Sequence, residues 1–516
     1  MATKYVSQTT ANGYAVGSDA NDGSTKALAK LTLEAAITAA TAADTIVMND
    51  GTYTAATYFD VAKALTINPE TDYGTTLKCT GAVGQVIRVG AAGVEIKLGK
   101  LIIDAESNAS ASCVGLNGTT ARTVTLNGTR LRNPGAGRFG VESLSSGQVI
   151  VLKVISVDFS CTSTAGAVNA LIGAAAHVDI NGLTVDNSSS SGAASNTRCP
   201  VYLNATVAAT HRIRGVSGTW KTAAGAISSS FIRTSGTRGI IERNRGMSLT
   251  GGDTSGCLIR CENTSGVQAD SLVIRKNQGV NATTGGFLIL VGADGASAND
   301  NKTNYSMIFG NDVAGTDAAT LMHGIMIGNS KGGVICGNKI YNAGIPVIAK
   351  LCSEAVYQID NDIVLPHTGT SGCLRAKGCT NTQMAGNRII LASGSTNAMA
   401  VIDRDPTVPT LSLTCSAIAN TLYSPVNVPL AVSVGSAADA STATFVLNNY
   451  NALSYTAGAF VYQAATYNTA ALWGAANETT YLITTPIDSD LTFWKTSYEP
   501  VLEQTLAKQT PWLLSY

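Results

Sequence analysis

The sequence is poor in charge and in aromatic side chains. Of 516 residues only 13% are Asp, Glu, Lys or Arg and 6% are aromatic, while 45% are apolar. Disorder needs low hydrophobicity together with high charge, so it is excluded. Helical bundles and coiled coils need many Leu, Glu, Lys and Arg, so they are excluded too. Neither sign of charge is in excess, because 34 basic residues balance 34 acidic ones. The field that draws proteins onto nucleic acid or anionic membrane is therefore missing, and nucleic acid is not an expected partner. No apolar run approaches the ~18 residues needed to cross a bilayer, so membrane insertion is not expected. No apolar stretch follows Met1–Val6, which reads as a soluble chain without a secretory signal.

Metal-ligand spacing is missing as well. Cys257 and Cys261, and Cys373 and Cys379, stand too far apart for a zinc site, and His177, His211, His323 and His367 form no paired motif. Asp19, Asn21 and Asp22 resemble part of a calcium loop without its closing Glu, and read as a tight turn. No metal and no cofactor are expected. The 11 cysteines, an odd number in a chain long enough to build a core, read as buried free thiols.

What the chain does have is small residues and a repeat. Short β-branched runs end in Asn at Asn244, Asn277, Asn311, Asn338, Asn361, Asn387 and Asn420, at spacings of 33, 34, 27, 23, 26 and 33. Asn127 and Asn181 upstream and Asn449 downstream keep similar steps. Helical and leucine-rich repeats of this period need frameworks that are absent here. The pattern predicts a parallel β-helix: an all-β solenoid whose coils each hold about three short strands and stack ~4.8 Å apart. The repeated Asn then forms a column at a bend, each amide bonded to the next. The residues that follow, among them Lys339, Asp362 and Arg388, are expected to make an ion-pair stripe on the surface.

Both ends depart from the middle. Leu33, Ala36, Ile37 and Ala40 recur at helical spacing, predicting a short amphipathic helix over 31–43 that plugs the first coil. The segments Lys4–Ser7, Gly17–Ser24 and Asp44–Tyr53 flanking that helix resemble the opening of right-handed parallel β-helix proteins of the pectate-lyase-like superfamily, which is also common in bacteriophage tailspikes and tail fibres. The resemblance implies a right-handed single-stranded β-helix. It leaves activity open, because that fold hosts lyases, hydrolases, esterases and inert spikes. At the other end, residues 450–516 hold 12 of the 30 aromatic residues, including Trp473, Trp494 and Trp512. They are expected to close the solenoid or join subunits. The expected division is 1–60 for the cap and first strands, 61–449 for the β-helix and 450–516 for a capping or oligomerisation unit.

Polysaccharide-cleaving members of this superfamily carry acidic and basic side chains on a solvent-facing strand layer. The paired-Asp elements of polygalacturonases are absent. Arg132 to Arg138 approaches the Arg-x-Pro-x-x-Arg element of pectate lyases with one residue too many, and reads as a turn with two exposed arginines. In an extended strand Asp403 and Asp405 share a face roughly 7 Å apart, a separation suited to an acid and base. They are the candidate catalytic pair. Arg260, Glu262, His323, Lys350, Glu354, Arg375 and Lys377 are the candidate glycan-binding residues. A glycan-binding row without chemistry and an ordinary solvated face stand beside that reading.

The resemblance implies a virion tailspike or tail-fibre protein that binds, and in some members depolymerises, a bacterial surface polysaccharide. Its partners would be that polysaccharide, other phage tail proteins and two further copies of the chain in a homotrimer. The alternatives are a non-enzymatic structural or decoration protein of a virion, and a bacterial pectate-lyase-like enzyme.

Overall fold

The fold is described from a computed structural model. It describes residues 1–467 except 82–83, 91–94, 107–109, 117–121, 144–149, 162–165, 173–176, 188–198, 223–228, 263–269, 284, 294–304, 316–321, 366–371, 392–398, 404–413, 429–431, 435–441, 456–459 and 463–464; beyond 467 it describes residue 476 alone. The chain forms two compact units, Met1–Asp253 and Thr254–Tyr516. Each is a parallel β-helix with three columns of stacked strands.

In the first unit the first column stacks Thr3–Val6, Thr45–Met48, Leu65–Pro69, Glu95–Leu98 and Arg122–Asn127 in parallel. The second stacks Gly51–Ala55, Thr75–Cys79, Ile102–Asp104 and Arg130–Arg132. The third stacks Phe59–Asp60, Gln85–Val89, Ser112–Leu116, Phe139–Ser143 and Gly166–Ile172. From Ile150–Ser160 onward single long strands run through more than one column. Alternation decides which side faces in. Ile46, Ile67, Leu98, Leu126, Val154, Ile180, Ile213 and Ile241 lie in one register line, all fully buried. Burying each such side chain contributes roughly 2 kcal/mol, so the axis of the unit is its main source of stability.

The helix is present as Leu33–Ala39, with Thr32 as its N-cap and Leu33, Ala36 and Ile37 buried. Its last carbonyls are held by Lys63 Nζ, which donates to Ile37 O, Thr38 O and Ala40 O at 2.8–2.9 Å. The Asp19 turn is closed by Leu31 and Thr32, whose backbone N–H groups donate to Asp19 Oδ1.

In the second unit the first column stacks Asp270–Arg275, Ser306–Phe309, Gly333–Cys336, Ala355–Ile359, Asn381–Ala385, Thr414–Ile418 and Thr442–Val446. The second stacks Gln278–Thr283, Asp312–Gly315, Lys339–Tyr341, Asp362–Leu365, Arg388–Leu391, Thr421–Val428 and Asn449–Tyr455. The third stacks Gly256–Glu262, Gly286–Gly292, Met322–Gly328, Ile345–Lys350, Leu374–Lys377, Ala400–Asp403, Val432–Val434 and Phe460–Tyr462. Ala465–Tyr467 then turns back antiparallel on Phe460–Tyr462. Trp473, Trp494 and Trp512 lie outside the described residues.

The expected Asn column is the bend between the first and second columns of this unit. Asn277, Asn311, Asn338, Asn361, Asn387, Asn420 and Asn448 are buried there. Asn311 shows the pattern. Its Oδ1 accepts from Asn277 N at 3.0 Å and Asn277 Nδ2 at 2.9 Å, while its Nδ2 donates to Asn338 Oδ1 at 2.9 Å and Ile274 O at 3.0 Å. Every donor and acceptor of the amide is thereby used.

Three expected members are corrected. The rung in the last coil is Asn448, bonded to Asn420, and Asn449 begins the strand after it. Asn127 and Asn181 are exposed, because they precede the left-handed residue of their bends (Gly128, φ 67; Gly182, φ 95). A rung follows that residue, as Asn311 follows Gly310 (φ 63). On the surface Lys339, Asp362 and Arg388 stand in register, and Arg388 Nη2 reaches Asp362 Oδ1 at 2.9 Å.

Candidate functional site

The third column of the second unit gathers most of the residues singled out from sequence. One register line reads Arg260, Leu290, Met326, Ile348, Arg375. Two arginines, four coil steps or roughly 19 Å apart at the ~4.8 Å coil spacing, thus bracket an apolar stretch of three coils. A second line reads Gly292, Gly328, Lys350, Lys377, Asp403.

Asp403 receives a bidentate guanidinium. Arg375 Nε donates to Oδ1 at 3.3 Å and Nη2 to Oδ2 at 2.7 Å, across 28 residues of sequence. Both carboxylate oxygens are engaged, and the planar fork fixes the arginine's orientation. Lys377 lies directly in register with Asp403 on one side and with Lys350 on the other. Three cations and one carboxylate therefore stand on three successive coils.

At the other end, Arg260 is only 7% exposed. Its Nη1 donates to Glu262 Oε1 at 3.0 Å, and its Nη2 to Ser255 O at 2.8 Å and to Cys257 Sγ at 3.2 Å. Burial works against its charge, but the Cys257 sulfur and the Glu262 carboxylate outweigh burial and hold the guanidinium above its ordinary value. His323 is half-buried, its ring 4.9 Å from that of Phe287 in the next coil. Glu354 is exposed and outside the column, its backbone N–H bonded to Lys331 O. Asp405, the proposed partner of Asp403, lies outside the described residues.

The third column of the first unit holds a polar cluster that the sequence did not single out. Asp60, Arg88, Gly115 and Glu142 follow one another in register. Arg88 is bidentate on Asp60 and lies 4.1 Å above the Tyr58 ring. Ser112 Oγ donates to Glu142 Oε2 and accepts from Phe139 N at 3.3 Å. Arg138 Nη1 stands 3.6 Å from Glu142 Oε1. Burial pushes the Glu142 carboxyl above its ordinary range, against the opposing effects of Ser112 and Arg138. The turn expected to expose Arg132 and Arg138 leaves both half-buried, since the first ends a strand and the second packs beside Glu142. The only sequence trace of this cluster is spacing: positions 60, 88, 115 and 142 lie 28, 27 and 27 apart, one coil each.

No protein-family model and no curated protein matches the chain. Among solved structures it is similar to the A-module of the mannuronan C-5 epimerase AlgE6 of Azotobacter vinelandii, at 12% identity and a TM-score of 0.33, over 89% of this chain and 96% of that one. At that distance the parallel β-helix rests on the strand register itself.

Proposed function

We propose that this protein is the receptor-binding β-helix of a phage tailspike or tail fibre, and that an acidic stretch of a bacterial surface polysaccharide lies along Lys350, Lys377 and Arg375. The observation that carries the reading is Lys350 placed directly in register with Lys377. Two like charges on neighbouring coils match the repeating charge of a polyanion that crosses the coils. Asp403 holds Arg375 in place beside them. The stiff, register-locked coils suit a particle's exterior. In this reading the helix Leu33–Ala39 plugs the first coil, residues 450–516 join three copies, and the protein is displayed on the virion tail.

The test is retention and size analysis of purified host surface polysaccharide with the protein. Binding is expected to weaken about tenfold, ~1.4 kcal/mol, in Lys377→Ala and to fall with added salt. Discrete shortening of the glycan, lost in Asp403→Asn, would add cleavage to binding. An unchanged size profile with retention leaves recognition alone. Failure to retain any acidic polysaccharide would overturn the reading.

A further inference from the structure

The polar cluster of the first unit differs from the cationic row in its charge. Arg88 is neutralised by Asp60, and Glu142 sits beside Arg138 with its oxygen bound by Ser112. Between Arg88 and Glu142 the register position is Gly115, which contributes no side chain of its own to the step between them. Gln85 leans into that step: a Cβ on Gly115 would come within 2.8 Å of Gln85 Oε1. Gln85 is 4% exposed, and its Oε1 has no hydrogen-bond partner among the described residues. A buried acceptor without a donor is destabilising, so such a group calls for an occupant that supplies one. A hydroxyl is the simplest donor that brings no charge into a site already balanced.

We propose that Gln85, Arg88, Ser112 and Glu142 form a subsite for an uncharged, hydroxyl-bearing sugar ring, so that the glycan recognised here carries neutral as well as acidic residues. Gln85 Oε1 accepts from one sugar hydroxyl, the outer edge of the Arg88 guanidinium donates to another, and the Glu142 carboxyl closes the far side. The Tyr58 ring beneath Arg88 keeps the guanidinium flat against the strand layer. Gly115, having no Cβ, lets the Gln85 amide lie across the step.

This inference rests on the reading of the protein as a polysaccharide binder, and the experiment separates the two. Methyl glycosides of glucose, galactose, mannose and rhamnose are titrated by saturation-transfer NMR against wild type, Gln85→Leu, Gly115→Ala and Lys377→Ala, with oligogalacturonate as the acidic probe. At least one neutral glycoside is expected to bind wild type and Lys377→Ala alike, and about tenfold more weakly to Gln85→Leu. Gly115→Ala serves as a second variant: its methyl would meet Gln85 Oε1, Cβ and Cδ at 2.8–3.0 Å and so displaces the Gln85 amide from the step. It is expected to abolish neutral-sugar binding with an unchanged melting curve. Oligogalacturonate bound by wild type, with every neutral glycoside silent or indifferent to both first-unit variants, overturns the subsite and leaves the polysaccharide reading intact. Silence of both probe classes overturns both.

Discussion

The two units make the same bend with different interiors, mostly apolar in the first and amide in the second. From Gly128 onward a residue in the left-handed region turns the chain between strands and the next residue points inward. In the first unit those inward residues are Thr129, Val157, Leu183 and Val216, after Gly128, Ser156, Gly182 and Gly215. In the second they are the seven ladder asparagines, after Lys276, Gly310, Gly337, Asp360, Gly386, Ala419 and Leu447. Asn244, near the end of the first unit, already has the second unit's chemistry: its Oδ1 accepts from Val216 N at 2.8 Å and its Nδ2 donates to Ile213 O. The backbone turn therefore does not dictate what fills it. An apolar residue contributes roughly 2 kcal/mol of burial whatever its neighbours are. An amide contributes only while the neighbouring coils supply partners for its oxygen and its N–H groups, because an unpaired buried amide costs instead of stabilising.

Acid is expected to separate the units most strongly. His211 is buried in the first unit, with neither ring nitrogen partnered among the described residues. Burial, reinforced by the nearby His177, lowers its pKa from 6.5 to about 3. The neutral imidazole is thus the form that folds. Its contribution is fully present above pH 6.5 and is lost as pH falls toward 3, a change on the order of 4 kcal/mol. Residues 209–222 and 229–242 should lose hydrogen-exchange protection across that window while the amide ladder, which does not titrate, keeps its own. His211→Leu should flatten the pH slope of the first unit, and a slope unchanged by that substitution would dismiss the imidazole as its source.

Exchanging the two kinds of bend residue comes next in size. Asn361→Ala removes the acceptor for Asn338 N and Nδ2 and the donor to Asn387 Oδ1 and Ile335 O. A loss of about 3 kcal/mol in urea denaturation is expected. Val157→Asn, which inserts an amide where no ladder exists, should destabilise by about 2 kcal/mol rather than stabilise. If it stabilised, the dependence on neighbouring rungs would be wrong.

The smallest effect belongs to the surface beside the ladder. Arg388 pairs with Asp362 from an exposed position, one residue after the rung Asn387. Arg388→Ala should cost under about 0.5 kcal/mol, within the range of exposed ion pairs. A larger loss would mean that the stripe, and not only the interior rungs, ties the coils together.

Much of the second unit was legible because its repeat is written in one residue type. The spacing of Asn277 to Asn420 gave the coil length, and the coil length gives the columns. Asn127 and Asn181 misled because an Asn before a left-handed Gly and an Asn after one look alike in sequence and face opposite ways. Arg375 and Asp403 could be named as neighbours but not as a bidentate pair, since that depends on a diagonal step between coils. Gln85 and Glu142 went unread. Nothing in their local sequence distinguishes them, and they meet only once Ser112, Gly115 and Glu142 are stacked on Gln85 and Arg88 by the intervening coils.

The ladder also bears on how a protein of this kind changes length over generations. Successive rungs are 34, 27, 23, 26, 33 and 28 residues apart, yet each hands on the same two hydrogen bonds it receives. Loops between columns can grow or shrink without moving a rung, since lengthening a loop costs little. A duplicated or deleted coil leaves its neighbours with the partners they had before. Inheritance can therefore lengthen or shorten a unit of this kind in whole coils, while the loops between columns vary independently.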